Sequence, residues 1–371
     1  MPRIGSKFAF SAGLCLSGFA AIMFGALMVV PDGTPFFAAA LAVRCLQAVG
    51  DAAFSVAVYS IAADRFPERT SAVVGTVKTF CGIGFTGGPV IGGLLYEIGG
   101  YPTPFVVLGI GLLLVSLLGL FVLRPEDSPQ HYPSAADHSD QNGRGLLDLM
   151  KVPALYLVLA AVSLCAGTLL FVDTVLEPHV REVRLMTMHL LMYIQFVLNP
   201  SSCLDTATQL TILMYIVQYG LSPTVVGVLF FGLEVTFILA APCAGFAADK
   251  TGKPVWIVLI GAFGTAATML CFGPSPMLPF VTKSLATVIC SLIAMGPSVA
   301  LFDVPTFHAL LEVARNAGFP DTTSTYGTVS GVYQSAWSFG GFLGPSLGGW
   351  LVELIGIPWY ITCLSALDLS L

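Results

Sequence analysis

The chain has 371 residues, 56% of them hydrophobic and only 10% charged. Soluble domains carry about 25% charged residues, so this composition excludes a large soluble enzyme and a nucleic-acid-binding module. The net charge of −6 decides little, because in a polytopic membrane protein the placement of Lys and Arg matters more than their total.

Apolar runs long enough to span a bilayer are predicted at 8–30, 36–62, 71–95, 103–123, 153–175, 222–246, 254–273, 280–302, 328–352 and 357–371. Lys7 is followed directly by the first of them, with no secretory leader pattern. The basic residues fall in alternate loops: Arg3 and Lys7, Arg65 and Arg69, Arg124, Arg144 and Lys151, Lys250 and Lys253, and Arg315. The intervening loops around Pro31–Pro35, Gly99–Pro102, Gly273–Pro279 and Glu353–Pro358 have none, which places the basic loops on the cytoplasmic side. The polar stretch Arg124–Arg144 reads as a flexible loop. It divides the chain into a helical bundle over 1–123, a cytoplasmic loop over 124–152 and a second bundle over 153–371. Within the second bundle, 182–217 holds two apolar pieces too short to span, and the stretch reads as an insertion, from translated intron or an alternative exon.

One pattern occurs twice. Gly75, Gly84, Gly88, Pro89, Gly92 and Gly93 follow the spacing G-x8-G-x3-G-P-x2-G-G, and Gly331, Gly340, Gly344, Pro345, Gly348 and Gly349 repeat it. At about 100° per residue, Gly84, Gly88 and Gly92 share one helix face, as do Gly340, Gly344 and Gly348. Such stripes let another helix approach closely. Each follows a basic loop and runs outward, so the halves are parallel repeats, as in a transporter. Each proline removes a backbone donor and bends its helix.

The doubled glycine pattern resembles the antiporter motif of proton-coupled major-facilitator transporters. Gly245, Asp249, Lys250, Gly252 and Lys253, in GFAADKTGK, resemble that family's gating loop between helices 8 and 9. Arg3, Gly5 and Lys7 resemble the tail of the equivalent loop between helices 2 and 3, and Arg44, Gln47 and Gly50 an element of helix 4. With Leu176-Glu177-Pro178 and Tyr326-Gly327, the chain is most similar to the solute carrier 18 (vesicular amine transporter) family, in particular its polyamine branch. The resemblance implies an all-α polytopic membrane protein of the major-facilitator-type two-bundle fold, with about 10 of 12 helices present: helices 3–6, then 7–12, truncated at both ends. It further implies proton-coupled antiport of organic cations, polyamines or related amines, into acidic vesicles by a monomeric multi-pass protein without cofactor. A transport-inactive truncated isoform or structural partner, and an organic-cation or drug exporter of the same superfamily, are the alternatives.

Charged and polar residues inside spans are expensive in a bilayer and mark ion or substrate paths. Arg44, Gln47 and Asp51 share a helix face, as a structural Arg–Asp pair or as a cavity-facing proton relay in which Arg44 tunes Asp51. Lys78 is expected to snorkel towards the cytoplasmic surface. Asp173 and Glu177, four residues apart, could attract a cationic amine, and Asp173 resembles an acidic residue of family helix 7. Glu234 is mid-span with no local basic residue, and Asp303 is either a site carboxylate or interfacial. Gln334 stands where amine-transporting relatives carry an acid. Tyr59, Tyr326, Tyr333 and Trp337 are candidates for cation–π lining or for packing. His308 is a single imidazole around which no metal site can be built, no Cys pair has zinc spacing, and no phosphate-binding G-x4-G-K-[S/T] loop is present, which argues against ATP-driven transport.

Overall fold

In a bilayer the backbone must satisfy its own hydrogen bonds, and for long apolar runs the helix does so within one segment. The computed structural model describes residues 5–122, 146–172, 223–273 and 285–370, and among these it contains helices and no strand. The loop 124–144, the pair Asp173 and Glu177, and the stretch 182–217 lie outside the described residues.

The helix α1 (Ser6–Ala26) ends in a 3-10 turn, Leu27–Val29, and Gly33, at φ 98°, supplies the left-handed turn into α2 (Thr34–Arg65). Helix α2 stops at Phe66–Pro67, where proline cannot continue a helix. Helix α3 (Thr70–Gly99) carries the first glycine pattern and gives way at Gly100, φ 73°, to α4 (Pro102–Val122). A single helical turn, Leu146–Leu149, precedes α5 (Pro153–Val172). There follow α6 (Pro223–Thr251), α7 (Pro254–Phe272), α8 (Leu285–Asp303), α9 (Thr306–Asn316), α10 (Thr323–Ile355) and α11 (Ile357–Leu369). Eight helical stretches among the described residues are long and apolar enough to cross a membrane. The predicted spans 328–352 and 357–371 correspond to α10 and the shorter α11. Helix α9 has no predicted counterpart. Its Phe307, Leu310, Leu311 and Ala314 are buried at amphipathic spacing, while Glu312 and Arg315 interrupt the apolar run.

The helices fall into two units. The first comprises Met1–Val74, Gly84–Leu159 and Phe307–Ser335. In it α1 packs on α2 and α4 through paired glycines. A Cβ on Gly13 would come within 2.7 Å of the Gly50 carbonyl, and one on Gly50 within 2.8 Å of the Gly13 carbonyl. Gly18 and Gly109 make the same reciprocal crossing between α1 and α4, at 2.9 and 2.8 Å. Small residues at both crossings let the backbones meet, which is how helices gain packing where no water drives them together. The second unit comprises Gly75–Ile83, Ala160–Thr306 and Ala336–Leu371. Its core is built from Phe171, Met269, Phe272, Leu292, Met295 and Phe302 on α5, α7 and α8, with Tyr360 and Ile361 of α11 packed against them.

Candidate functional site

Within the second unit, residues 75–83 of α3 lie against α6. A Cβ on Gly75 would meet the Ala241 carbonyl at 2.5 Å, and the Thr79 hydroxyl donates to the Ile238 carbonyl at 3.3 Å. This approach carries Lys78 into the interior, where its side chain is 8% exposed and its ammonium stands 2.8 Å from the carboxylate of Asp303, 1% exposed, at the end of α8. The same ammonium lies 3.7 Å from the centroid of the Trp337 ring on α10. Snorkelling is therefore not what Lys78 does: its stem is surrounded by α3, α6, α8 and α10, and the buried carboxylate outcompetes the interface for the charge. Glu234 is near. A Cβ on Gly82, one turn beyond Lys78, would come within 3.4 Å of the Glu234 carboxylate on α6. The structure thus brings together Lys78, Asp303, Glu234 and Trp337, residues from four helices.

The polar stripe of α2 belongs to the first unit and is arranged differently. Arg44 donates to the Gln47 side chain at 2.9 Å and lies 4.0 Å over the Phe24 ring. Asp51 accepts a hydrogen bond of 2.6 Å from Ser17 on α1. Among the described residues no ion pair joins Arg44 to Asp51, and both are exposed. Seven residues along a helix is about 10 Å, and each charged group has a nearer neighbour. A hydrogen bond to a charged acceptor contributes about 1.5–3 kcal/mol when dry, less where water can replace it. We expect Ser17→Ala to cost about 1 kcal/mol, seen as a small fall in the thermal unfolding midpoint in detergent; an unchanged midpoint would show the contact to be idle.

Further along the first unit, Tyr59 of α2, Phe307 of α9 and Tyr333 of α10 form an aromatic triangle, with centroids 5.2, 5.1 and 5.4 Å apart. Ser71 at the start of α3 is 2.7 Å from the His308 ring, and Thr323 donates to Asp64 at 3.2 Å. Arg315 pairs with Asp321, which also accepts from Tyr326. These contacts tie the ends of α2 and α3 beside one basic loop to α9 and the start of α10. Gln334 is half-buried beside the triangle's Tyr333.

The two glycine stripes meet different surroundings. On α10, a Cβ at Gly340 or Gly344 would collide with the backbone of Ser163 or Gly167, and one at Gly348 would meet the Phe171 ring at 2.5 Å. Helices α10 and α5 thus run in parallel at backbone contact over two turns, and the Ser163 hydroxyl donates to the Ala336 carbonyl at 2.9 Å. On α3, a Cβ at Gly84, Gly88, Gly92 or Gly93 would meet nothing within 4 Å among the described residues, nor would one at Gly331 or Gly349 on α10. In the GFAADKTGK segment, Gly245 is buried in α6, Lys250 and Lys253 are exposed, Asp249 is half-buried, and Gly252, at φ 60°, makes the turn into α7.

Long apolar helices and a duplicated glycine pattern, with a charged cluster inside the helices, are the features of a polytopic membrane transporter. The Major Facilitator Superfamily model matches residues 1–217 and 196–367. The human MFS-type transporter SLC18B1 is 33% identical over 361 residues, covering 97% of this chain and 69% of that protein. The human synaptic vesicular amine transporter is 26% identical, over 99% of this chain and 60% of that one. Among solved structures, the transporter FucP in the outward conformation superposes with a TM-score of 0.62 at 14% identity, over 99% of this chain and 82% of FucP. The chain belongs to the major facilitator superfamily, in its solute carrier 18 family. It is a multi-pass membrane protein whose relatives carry small molecules.

Proposed function

We propose that the chain exchanges protons for an organic amine, preferentially a polyamine, moving the amine into an acidic vesicle. The observation that carries this reading is the Lys78 ammonium itself. A primary ammonium is held by the Asp303 carboxylate at 2.8 Å and by the Trp337 ring at 3.7 Å. Carboxylate plus aromatic face is the chemistry that binds a substrate amine, and a desolvated cation–π contact contributes about 2 kcal/mol. A proton, Lys78 and a substrate amine are three cationic claimants on one carboxylate. Protonating Asp303 removes the charge that holds either amine, so proton and substrate occupancy exclude one another, as exchange requires. Glu234 of α6, beside Gly82 one turn along α3 from Lys78, supplies a second carboxylate, which suits a cargo with several ammonium groups. Similarity to vesicular amine transporters supports the cargo class. Within the first unit, the stripe Arg44, Gln47 and Asp51 is assigned a proton- or cation-relay role of its own, and the glycine patterns of α3 and α10 are assigned to helix surfaces that shift during alternating access.

The test is uptake of labelled spermine and of a labelled monoamine into acid-loaded proteoliposomes, with and without a proton uncoupler. The expected result is spermine accumulation that exceeds monoamine accumulation and collapses with the uncoupler. Uptake indifferent to the uncoupler would exclude the exchange reading.

A further inference from the structure

A further acidic residue lies inside the second unit, apart from Asp303 and Glu234. Asp368, in the last turn of α11, is 1% exposed, and neither of its carboxylate oxygens has a hydrogen-bond partner among the described residues. Other buried polar groups surround its level in the fold. Helix α11 begins where α7 ends, with Gly273 against Ile361, and packs back along it. Thr265, about 12 Å back along α7, and Asp368, about 11 Å beyond Ile361, therefore fall at one depth. On α5, the Phe171 ring meets Tyr360 at 4.4 Å, and Thr168 and Cys165 follow over the next two turns in the same direction. The hydroxyls of Thr168, Thr265 and Ser365 are buried and also lack partners among the described residues. Cys165 is within electrostatic reach of Asp368, and also of Asp303 and Lys78. Among the described residues, Cys165 of α5 and Tyr360 of α11 itself are titratable groups within electrostatic reach of Asp368. Towards this core α7 presents Met269 and Phe272, and α10 presents Leu351 and Val352, none of them charged.

We propose that Asp368 is a proton-binding carboxyl, a second protonation site of the transport cycle in the polar interior between α5, α7 and α11. A carboxylate buried without a cation or donors is strongly unfavourable, whereas a carboxylic acid is neutral and can donate to a neighbouring hydroxyl. Opening of this interior to water during the cycle would let the proton leave. The role in transport rests on the proton-exchange reading above; the presence of the proton does not.

Infrared spectra of the purified full chain at neutral pH test the assignment. Wild type minus Asp368→Asn should show the carbonyl stretch of a protonated carboxyl, which shifts in heavy water, is unaffected by Asp303→Asn and returns in Asp368→Glu. In proteoliposomes, Asp368→Asn should keep amine-for-amine exchange and lose accumulation driven by the pH gradient. Absence of a carboxyl band in the difference spectrum overturns the proposal, and so does gradient-driven accumulation at the wild-type level in Asp368→Asn. Uncoupler-insensitive uptake by the wild type would instead defeat the exchange reading and leave the infrared band to decide whether Asp368 holds a proton.

Discussion

Lys78→Ala is expected to destabilise the protein by about 3–5 kcal/mol, the range seen when one member of a buried ion pair is removed. The carboxylate of Asp303, 1% exposed, would keep its desolvation cost and lose its counter-charge, and the Trp337 face would lose its cation. The double variant Lys78→Ala/Asp303→Asn removes both charges and should recover most of the loss, because replacing a buried pair by neutral groups is often close to neutral for stability. Thermal unfolding in detergent, read as the fraction of monodisperse protein against temperature, separates the cases. A double variant as unstable as Lys78→Ala would mean that the lysine stem, rather than the ion pair, holds these helices together. Transport should fail in the double variant, where stability is restored but the carboxylate that a proton and an amine share in the proposed exchange is not.

The second large effect concerns α10. Gly344→Leu would drive a side chain into the Gly167 backbone of α5, and Gly340→Leu one into Ser163. Overpacking costs about 1–3 kcal/mol when side chains can adjust. Backbone on a parallel helix adjusts far less, so we expect at least the upper end of that range and a marked loss of folded protein. Gly88 stands at the matching place in the first glycine pattern and has nothing within 4 Å of its Cβ position among the described residues, so Gly88→Leu in the same 371-residue chain should be nearly neutral. Equal yields and unfolding midpoints for Gly88→Leu and Gly344→Leu would contradict this difference between the repeats.

The helical fold was legible because a span is a one-dimensional signal: about 20 apolar residues bounded by Gly, Pro or charge announce it without knowledge of any contact. The doubled glycine spacing was legible for the same reason, and Gly340, Gly344 and Gly348 do share one face, turned to α5. Pairing across helices was not legible. Lys78 and Asp303 are remote in sequence, and nothing within α3 shows that its lysine has a carboxylate to meet, so the interface was the expected destination for its charge. The face shared by Arg44, Gln47 and Asp51 followed from helical periodicity, whereas the hydroxyl of Ser17 comes from α1 and redirects Asp51. Helix α9 escaped because Glu312 and Arg315 break its apolar run, and its amphipathic face has meaning only against the aromatic residues it covers. Asp368 carried a readable signal, an acid inside an apolar run, but only its burial without a donor distinguishes it from an interfacial residue.

In the proposed exchange, the carboxylate of Asp303, shared by Lys78 and an incoming amine, is where proton and substrate exclude one another. Its most direct test compares two modes of transport in Asp303→Asn proteoliposomes: spermine accumulation driven by an acid interior, and spermine-for-spermine exchange with no gradient. Gradient-driven accumulation is expected to be abolished, Lys78 and the remaining residues supporting little or no net uptake, and any residual exchange should no longer depend on pH. Accumulation by Asp303→Asn at the wild-type rate, still sensitive to an uncoupler, would contradict it.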